Sequence, residues 1–382
     1  MREQSRPAAQ QTEARPMRVL QCTKRSVTLL AAACVALSAC GDSGPEAPFN
    51  PTGTTEDIAA VHDAFSSSAF ASFSTFSVYF GAALGTSPMV SGSAEAFNFR
   101  RATDAGEFQA AATRNARRVA ALMQGRATAS LSASSAAIPD ETAGMTFEYN
   151  GAEYVPTDRS GAPSNGVRFI IYAVNPITLQ PATPLQEVGH VQITDLSGST
   201  SQAARVVVVS GGITYLDYTV TATATVTGGV LSVAGYVTDG EHRANVNLRS
   251  TVNEAAGLTL LYSVDVPLRD VSIDLTMTTT GLDPETATVG IDLGMSGPNG
   301  TVSMSGQFTA DGGTITVRVN GDVFANVVSS GAGEPSITGA DGQPLTAEDE
   351  AAFQNIFALT GEAFITFDVM LLPIGFFLAP TA

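Results

Sequence analysis

The side chains best suited to chemistry in this chain are three histidines, His62, His190 and His242, and a series of aspartates. Imidazole titrates nearest to neutral pH, so a general base or a metal site would recruit it first. His62 falls near the start of a helical segment, His190 in a strand and His242 beside the turn Asp239-Gly240-Glu241. A histidine metal centre would need three separate elements to converge, and none is expected. Asp217, Asp265, Asp274, Asp292 and Asp368 lie in segments that read as strands. Paired across a sheet, two of them would serve as the acid and base of a glycoside hydrolase, or as oxygen ligands for Ca²⁺. Alternation puts the first four on the polar side of their strands, where solvation is the simpler role. Asp368 sits in an apolar run, and Arg168 lies in an apolar strand where it needs a partner if buried. The motifs HExxH, G-x-S-x-G, G-x-x-x-x-G-K-[ST] and G-x-G-x-x-G are all missing from the sequence. No catalytic residue, metal ligand or cofactor site can be assigned. The expectation is a protein without catalytic activity, with a carboxylate-dependent or metal-assisted envelope hydrolase as the alternative.

The three cysteines are Cys22, Cys34 and Cys40. Residues 18–40 read RVLQCTKRSVTLLAAACVALSAC. Basic Arg18, Lys24 and Arg25 precede an apolar run from Val27 to Leu37. That run is shorter than the roughly 20 residues a bilayer-spanning helix needs. It closes in Leu37-Ser38-Ala39-Cys40, which resembles the lipobox of bacterial lipoproteins. The resemblance implies that a type II signal peptidase recognises Leu37, Ser38 and Ala39 and cleaves before Cys40. It also implies that the Cys40 thiol carries a diacylglycerol and that the new amino group can be acylated. Residues 1–39 are then a signal peptide, and Met17, followed by Arg18, is a candidate translation start. Gly41, rather than an acid, follows the cysteine, with Asp42 one place later. The expected location is therefore the cell envelope, anchored in the outer membrane facing the periplasm or the cell surface where the host has one. The mature chain keeps only Cys40, so neither a disulfide nor a cysteine metal site is expected.

Charge narrows the partners. The chain has 19 basic and 36 acidic residues, of which the first 39 residues hold six and two. The remainder carries 13 against 34, a net charge of −21, with no lysine. Such a surface repels phosphate backbones and argues against nucleic acid. The expected partners are the membrane, an apolar or lipid-like ligand, or another protein.

Residues 40–53 are rich in Gly and Pro and read as a lipid tether. Residues 54–142 read as a helical segment and linker, and 143–382 as a β domain with a C-terminal helix. Ile58, Val61, Phe65, Ala69, Phe73, Phe76, Phe80 and Leu84 recur at steps of three and four, which predicts one continuous helix, capped by a Thr, packing its stripe on a core. It would run for about 45 Å at 1.5 Å per residue. A second helix is expected over 105–124, with Arg114, Arg117, Arg118 and Arg126 on a solvated face, followed by a low-complexity linker over 127–142.

From Met145 to Val328 the period becomes two. Ala244, Val246, Leu248 and Val252 alternate with Arg243, Asn245, Asn247 and Arg249; Val271, Ile273, Leu275 and Met277 alternate with Ser272, Asp274, Thr276 and Thr278. Turn signals such as Asp239-Gly240, Pro298-Asn299-Gly300 and Asn320-Gly321 separate the runs, and no connection is long enough for a crossover helix. The predicted fold is mainly β, an antiparallel up-and-down meander forming a curved sheet or half-barrel. The long N-terminal helix and a short C-terminal helix over 347–359 cover its apolar face. A β-sandwich is the alternative. Residues 364–372, FITFDVMLL, are expected to form a buried strand.

Overall fold

The computed structural model describes residues 50–83, 137–356 and positions 366, 369–371 and 373; short breaks fall at 176–177, 179, 200, 226–227, 254–256, 282–285, 310 and 331–335, and side chains are described outside 77–83 and 224–225. The signal peptide, the site residues Leu37 to Cys40, the helix expected over 105–124, most of the 127–142 linker and Asp368 lie outside the described residues. Residues Ala47–Ala382 form one compact unit.

Helices α1 (Pro51–Phe65) and α2 (Ser68–Ala83) come first. Fifteen strands follow: β1 (Thr146–Tyr149), β2 (Tyr154–Thr157), β3 (Gly166–Tyr172), β4 (Glu187–Asp195), β5 (Gln202–Ser210), β6 (Ile213–Thr225), β7 (Gly228–Thr238), β8 (Arg243–Asn253), β9 (Gly257–Val266), β10 (Val271–Thr280), β11 (Thr288–Gly297), β12 (Gly300–Thr309), β13 (Gly312–Val319), β14 (Asp322–Ser329) and β15 (Ser336–Gly339). A further helix, α3, spans 347–356. All fifteen strands belong to one open sheet, in which β3 to β15 follow chain order. The predicted meander is therefore present, and the sandwich alternative is not.

Period two becomes burial because neighbouring strands pair in register. Val246, Val264, Ile273, Met295, Val302 and Val319 stand opposite one another across β8 to β13, and all six point inward. Asp265 and Asp274 point outward, as their parity requires. Leu261, which breaks the alternation in β9, accepts an outward position and stays 43% exposed.

Three expectations need correction. The N-terminal stripe is core, with Ile58, Val61, Ala69, Phe73 and Phe76 all buried, but its helix is neither continuous nor capped by a Thr. Asn50 caps α1 by accepting from the amide of Gly53 at 3.0 Å, with Pro51 in the first turn. The helix stops at Ser66, whose hydroxyl donates to the Asp63 carbonyl, and Ser67 restarts it by accepting from the amide of Phe70. Serine side chains competing for the backbone break the helix without breaking the stripe. The break lets α1 lie against β7 to β10 while α2 lies against β2 to β6.

The sheet also contains one parallel pair, β1 with β3. β2 forms a hairpin on the outer side of β1, so the chain must recross β1 before β3 can join the sheet. Finally, Thr366, Val369, Met370 and Leu371 are helical rather than a strand. A run that is apolar at most positions has no clear period with which to declare its element.

The core is aromatic where α2 meets the sheet. Phe76 packs on Phe169 at 5.0 Å and edge-on to Tyr154 at 5.4 Å, while Phe147 stacks on Phe169 at 4.8 Å. Phe73 meets the ring of Tyr218 at 6.3 Å. The hydroxyl of Tyr218, fully buried on β6, donates to the carbonyl of Met370 at 2.9 Å and ties the C-terminal segment to the inner face.

Candidate functional site

The outer face of the sheet gathers the polar side chains, and it falls into three groups. At one edge, residues 158–165 return from β2 to β3 as a strap across the outer side of β1, β3 and β4. Arg159 clamps it, donating to both oxygens of Glu187 at 2.9 and 2.7 Å and to Glu148 at 3.1 Å. The fork geometry holds the Glu187 carboxyl below its usual pKa range. Beneath the strap Arg168 finds the partners its position demanded: Nη1 donates to the Ser160 carbonyl and Nη2 to Nδ1 of His190, each at 3.2 Å. Gln192 donates to the Gly161 carbonyl. Burial, and then the Arg168 charge, pull the pKa of His190 below its ordinary value, so the ring stays a neutral acceptor. Arg168 Nε and the hydroxyl of Thr146, on paired residues, are buried without a protein partner.

The second group sits on the β7–β8 turn. His242 Nδ1 lies 3.0 Å from Asp239 Oδ2, and Nε2 lies 3.4 Å from a guanidinium nitrogen of Arg269. Burial raises the Asp239 pKa, but hydrogen bonds from the His242 ring and from the amides of His242 and Glu241 outweigh it and leave the carboxyl below its usual range. An Asp–His pair of this kind orients a general base when a nucleophile stands at Nε2. Here the group at Nε2 is a cation.

The third group contains the strand aspartates. Asp217 is held by Arg205 through two bonds of 2.8 and 2.6 Å. Asp265, Asp274 and Asp292 are exposed and fall on a diagonal across β9, β10 and β11: Asp274 stands opposite Ser263 and Gly294, Asp265 opposite Ser272, and Asp292 opposite Thr276. No two carboxylates share a register position. Diagonal neighbours on an open sheet are about 7–8 Å apart. That is a separation an inverting hydrolase could use, but these three carboxylates stand on an exposed face.

The three histidines remain apart. His62 lies in the last turn of α1 rather than near its start, and the other two belong to different groups. Among the described residues no three His, Cys, Asp or Glu side chains group as a metal site would require.

The inner face is packed. Leu248, Leu293, Met304, Ile315 and Val317 retain 0% of their surface, and α1, α2, α3 and the helical residues near Met370 share a contiguous core with them. A bound acyl chain would need inner side chains with free surface toward a void. Across β3 to β14 the described inward side chains have almost none.

Among the described residues no helix is long and apolar enough to cross a membrane. No family model, curated protein or solved structure matches the chain.

Proposed function

We propose that this chain is a cell-envelope lipoprotein, held to the membrane by lipid on Cys40, that works without catalysis by presenting its broad polar sheet face to a partner protein. The anchor rests on the order of basic segment, apolar segment and Leu37-Ser38-Ala39-Cys40. The observation that carries the rest is the filled inner face: with Leu293, Met304 and Val317 fully covered, the sheet itself is open to recognition only through its outer face and turns. That face is built from Asn, Thr, Ser and Asp side chains on a regular lattice, with charge of both signs near Arg249 and Asp265. The arrangement suits polar recognition over a wide area.

Two measurements test the reading. Cys40→Ala should leave the protein out of the membrane fraction with its signal peptide uncleaved. A soluble form lacking the lipid should show no thermal stabilisation by long-chain fatty acids or phospholipid micelles. Stabilisation by several degrees would place an apolar ligand inside and overturn the partner reading.

A further inference from the structure

The hairpins of the meander alternate between the two ends of the sheet. The connections 173–186, 211–212, 239–242, 267–270, 298–299 and 320–321 all lie at one end, and α1 begins there: Asn50 donates from its side-chain amide to Asn299 Oδ1 in the β11–β12 turn at 3.4 Å. The same end displays large apolar side chains on its tips. Leu268 is 73% exposed, Ile213 48% and Leu185 41%. Arg243, whose guanidinium lies 3.8 Å over the Tyr236 ring, and Arg269 are exposed at this end, as are Glu241, Asp270 and Asp322.

We propose that this end of the sheet rests on the bilayer that holds Cys40, with Leu268, Ile213 and Leu185 at the lipid surface. The inference rests on the lipid anchor proposed above and adds an orientation to it. Covalent geometry supplies the first argument. Asn50 lies ten residues on from Cys40, and a fully extended chain of ten residues spans at most about 36 Å. A ten-residue strand such as β10 or β11 is itself about 33 Å long. With the opposite end toward the membrane, the connecting chain would have to run the whole length of the sheet at almost full extension. With the α1 end toward the membrane it has slack.

Surface chemistry supplies the second argument. A domain lying flat on its outer face would press Asp265, Asp274 and Asp292 against lipid headgroups, where anionic lipid repels them. The tips offer Leu268, Ile213 and Leu185 with exposed charges of both signs alongside, Arg243 and Arg269 among Glu241, Asp270 and Asp322, rather than a row of acids alone. Met145, Leu196 and Val328 are exposed at the opposite end, beyond the reach that the connecting chain allows without full extension.

The test uses full-length lipidated protein on phosphatidylcholine vesicles containing phosphatidylglycerol. Acylation blocks Cys40, so Leu268→Cys, Ile213→Cys and, on the far β12–β13 turn, Asp311→Cys each accept one environment-sensitive fluorophore. Flotation first reports whether the protein is anchored. In floated protein, labels at 268 and 213 should shift to the blue and be quenched by nitroxide lipids, while the label at 311 should do neither. Floated protein with silent labels at 268 and 213, or with a stronger response at 311, overturns the orientation and leaves the anchor standing. Protein that fails to float overturns the anchor, and the orientation falls with it.

Discussion

Asp57 on α1 accepts the side-chain amide of Asn299 at 2.9 Å, joining the first helix to the β11–β12 turn across 242 residues of chain. Asn299 also donates to the Gly53 carbonyl, and its backbone amide faces the second Asp57 oxygen. Gly297 makes the approach possible, since a Cβ there would stand 2.5 Å from the Asp57 carboxylate. One buried carboxylate thus fixes where α1 crosses the inner face.

Asn299→Ala should therefore cost about 1–3 kcal/mol, because it leaves a buried carboxylate short of its best donor. Chemical denaturation of the soluble domain measures it. A loss below about 0.5 kcal/mol would show that water replaces the amide.

Gly297→Ala should destabilise by a comparable amount for a different reason: its methyl group must displace Asp57. The double variant with Asp57→Ala should lose less than the two single losses combined, as expected for side chains in contact. Strict additivity would contradict the contact.

Tyr218→Phe removes only the hydroxyl that holds the Met370 carbonyl. The expected loss is about 1 kcal/mol, with faster amide exchange concentrated at the C-terminal helical residues. Uniformly faster exchange over the sheet would mean that the bond does not act locally.

The strap gives the protein a pH dependence of defined sign. His190 has a folded pKa below its ordinary value, through burial and Arg168, and it also faces Glu187 and Arg159. The unfolded chain binds more protons below about pH 6.5, so the stability from neutral His190 is complete above that pH and is lost as pH falls toward the folded pKa. Glu187, held low by Arg159, acts with the same sign at more acid pH: its share is present above its unfolded pKa and lost below. Urea midpoints should fall between pH 7 and 5, and His190→Gln should flatten that limb alone. A wild-type midpoint constant over this range would contradict the strap geometry.

The meander was legible because each strand buries one face, so that Ala244, Val246 and Leu248 repeat at every second position, and Val246, Val264 and Ile273 pair across strands. The elements that escaped have no such face. β2 is four residues long and contains Pro156, β15 is equally short, and the apolar run ending near Leu372 has Thr366, Val369, Met370 and Leu371 all buried among its described residues. The break between α1 and α2 was hidden because Phe65 and Ala69 keep the helical step across it. Arg168 was marked by its apolar strand, but the strap that partners it depends on the β1–β3 pairing, which no local pattern announces. Asn299 carried an ordinary local explanation as a turn residue, and only the fold brings it to Asp57.

A lipid attached at Cys40 is what would hold this protein to the membrane. Intact mass and fragmentation of the N-terminal peptide of the membrane-purified protein measure this directly. The predicted result is a mature chain beginning at Cys40, with the mass of a diacylglyceryl thioether and, where the amino group is acylated, of one further acyl chain. A free Cys40 thiol, or a mature chain still carrying Leu37-Ser38-Ala39 ahead of it, would contradict the account.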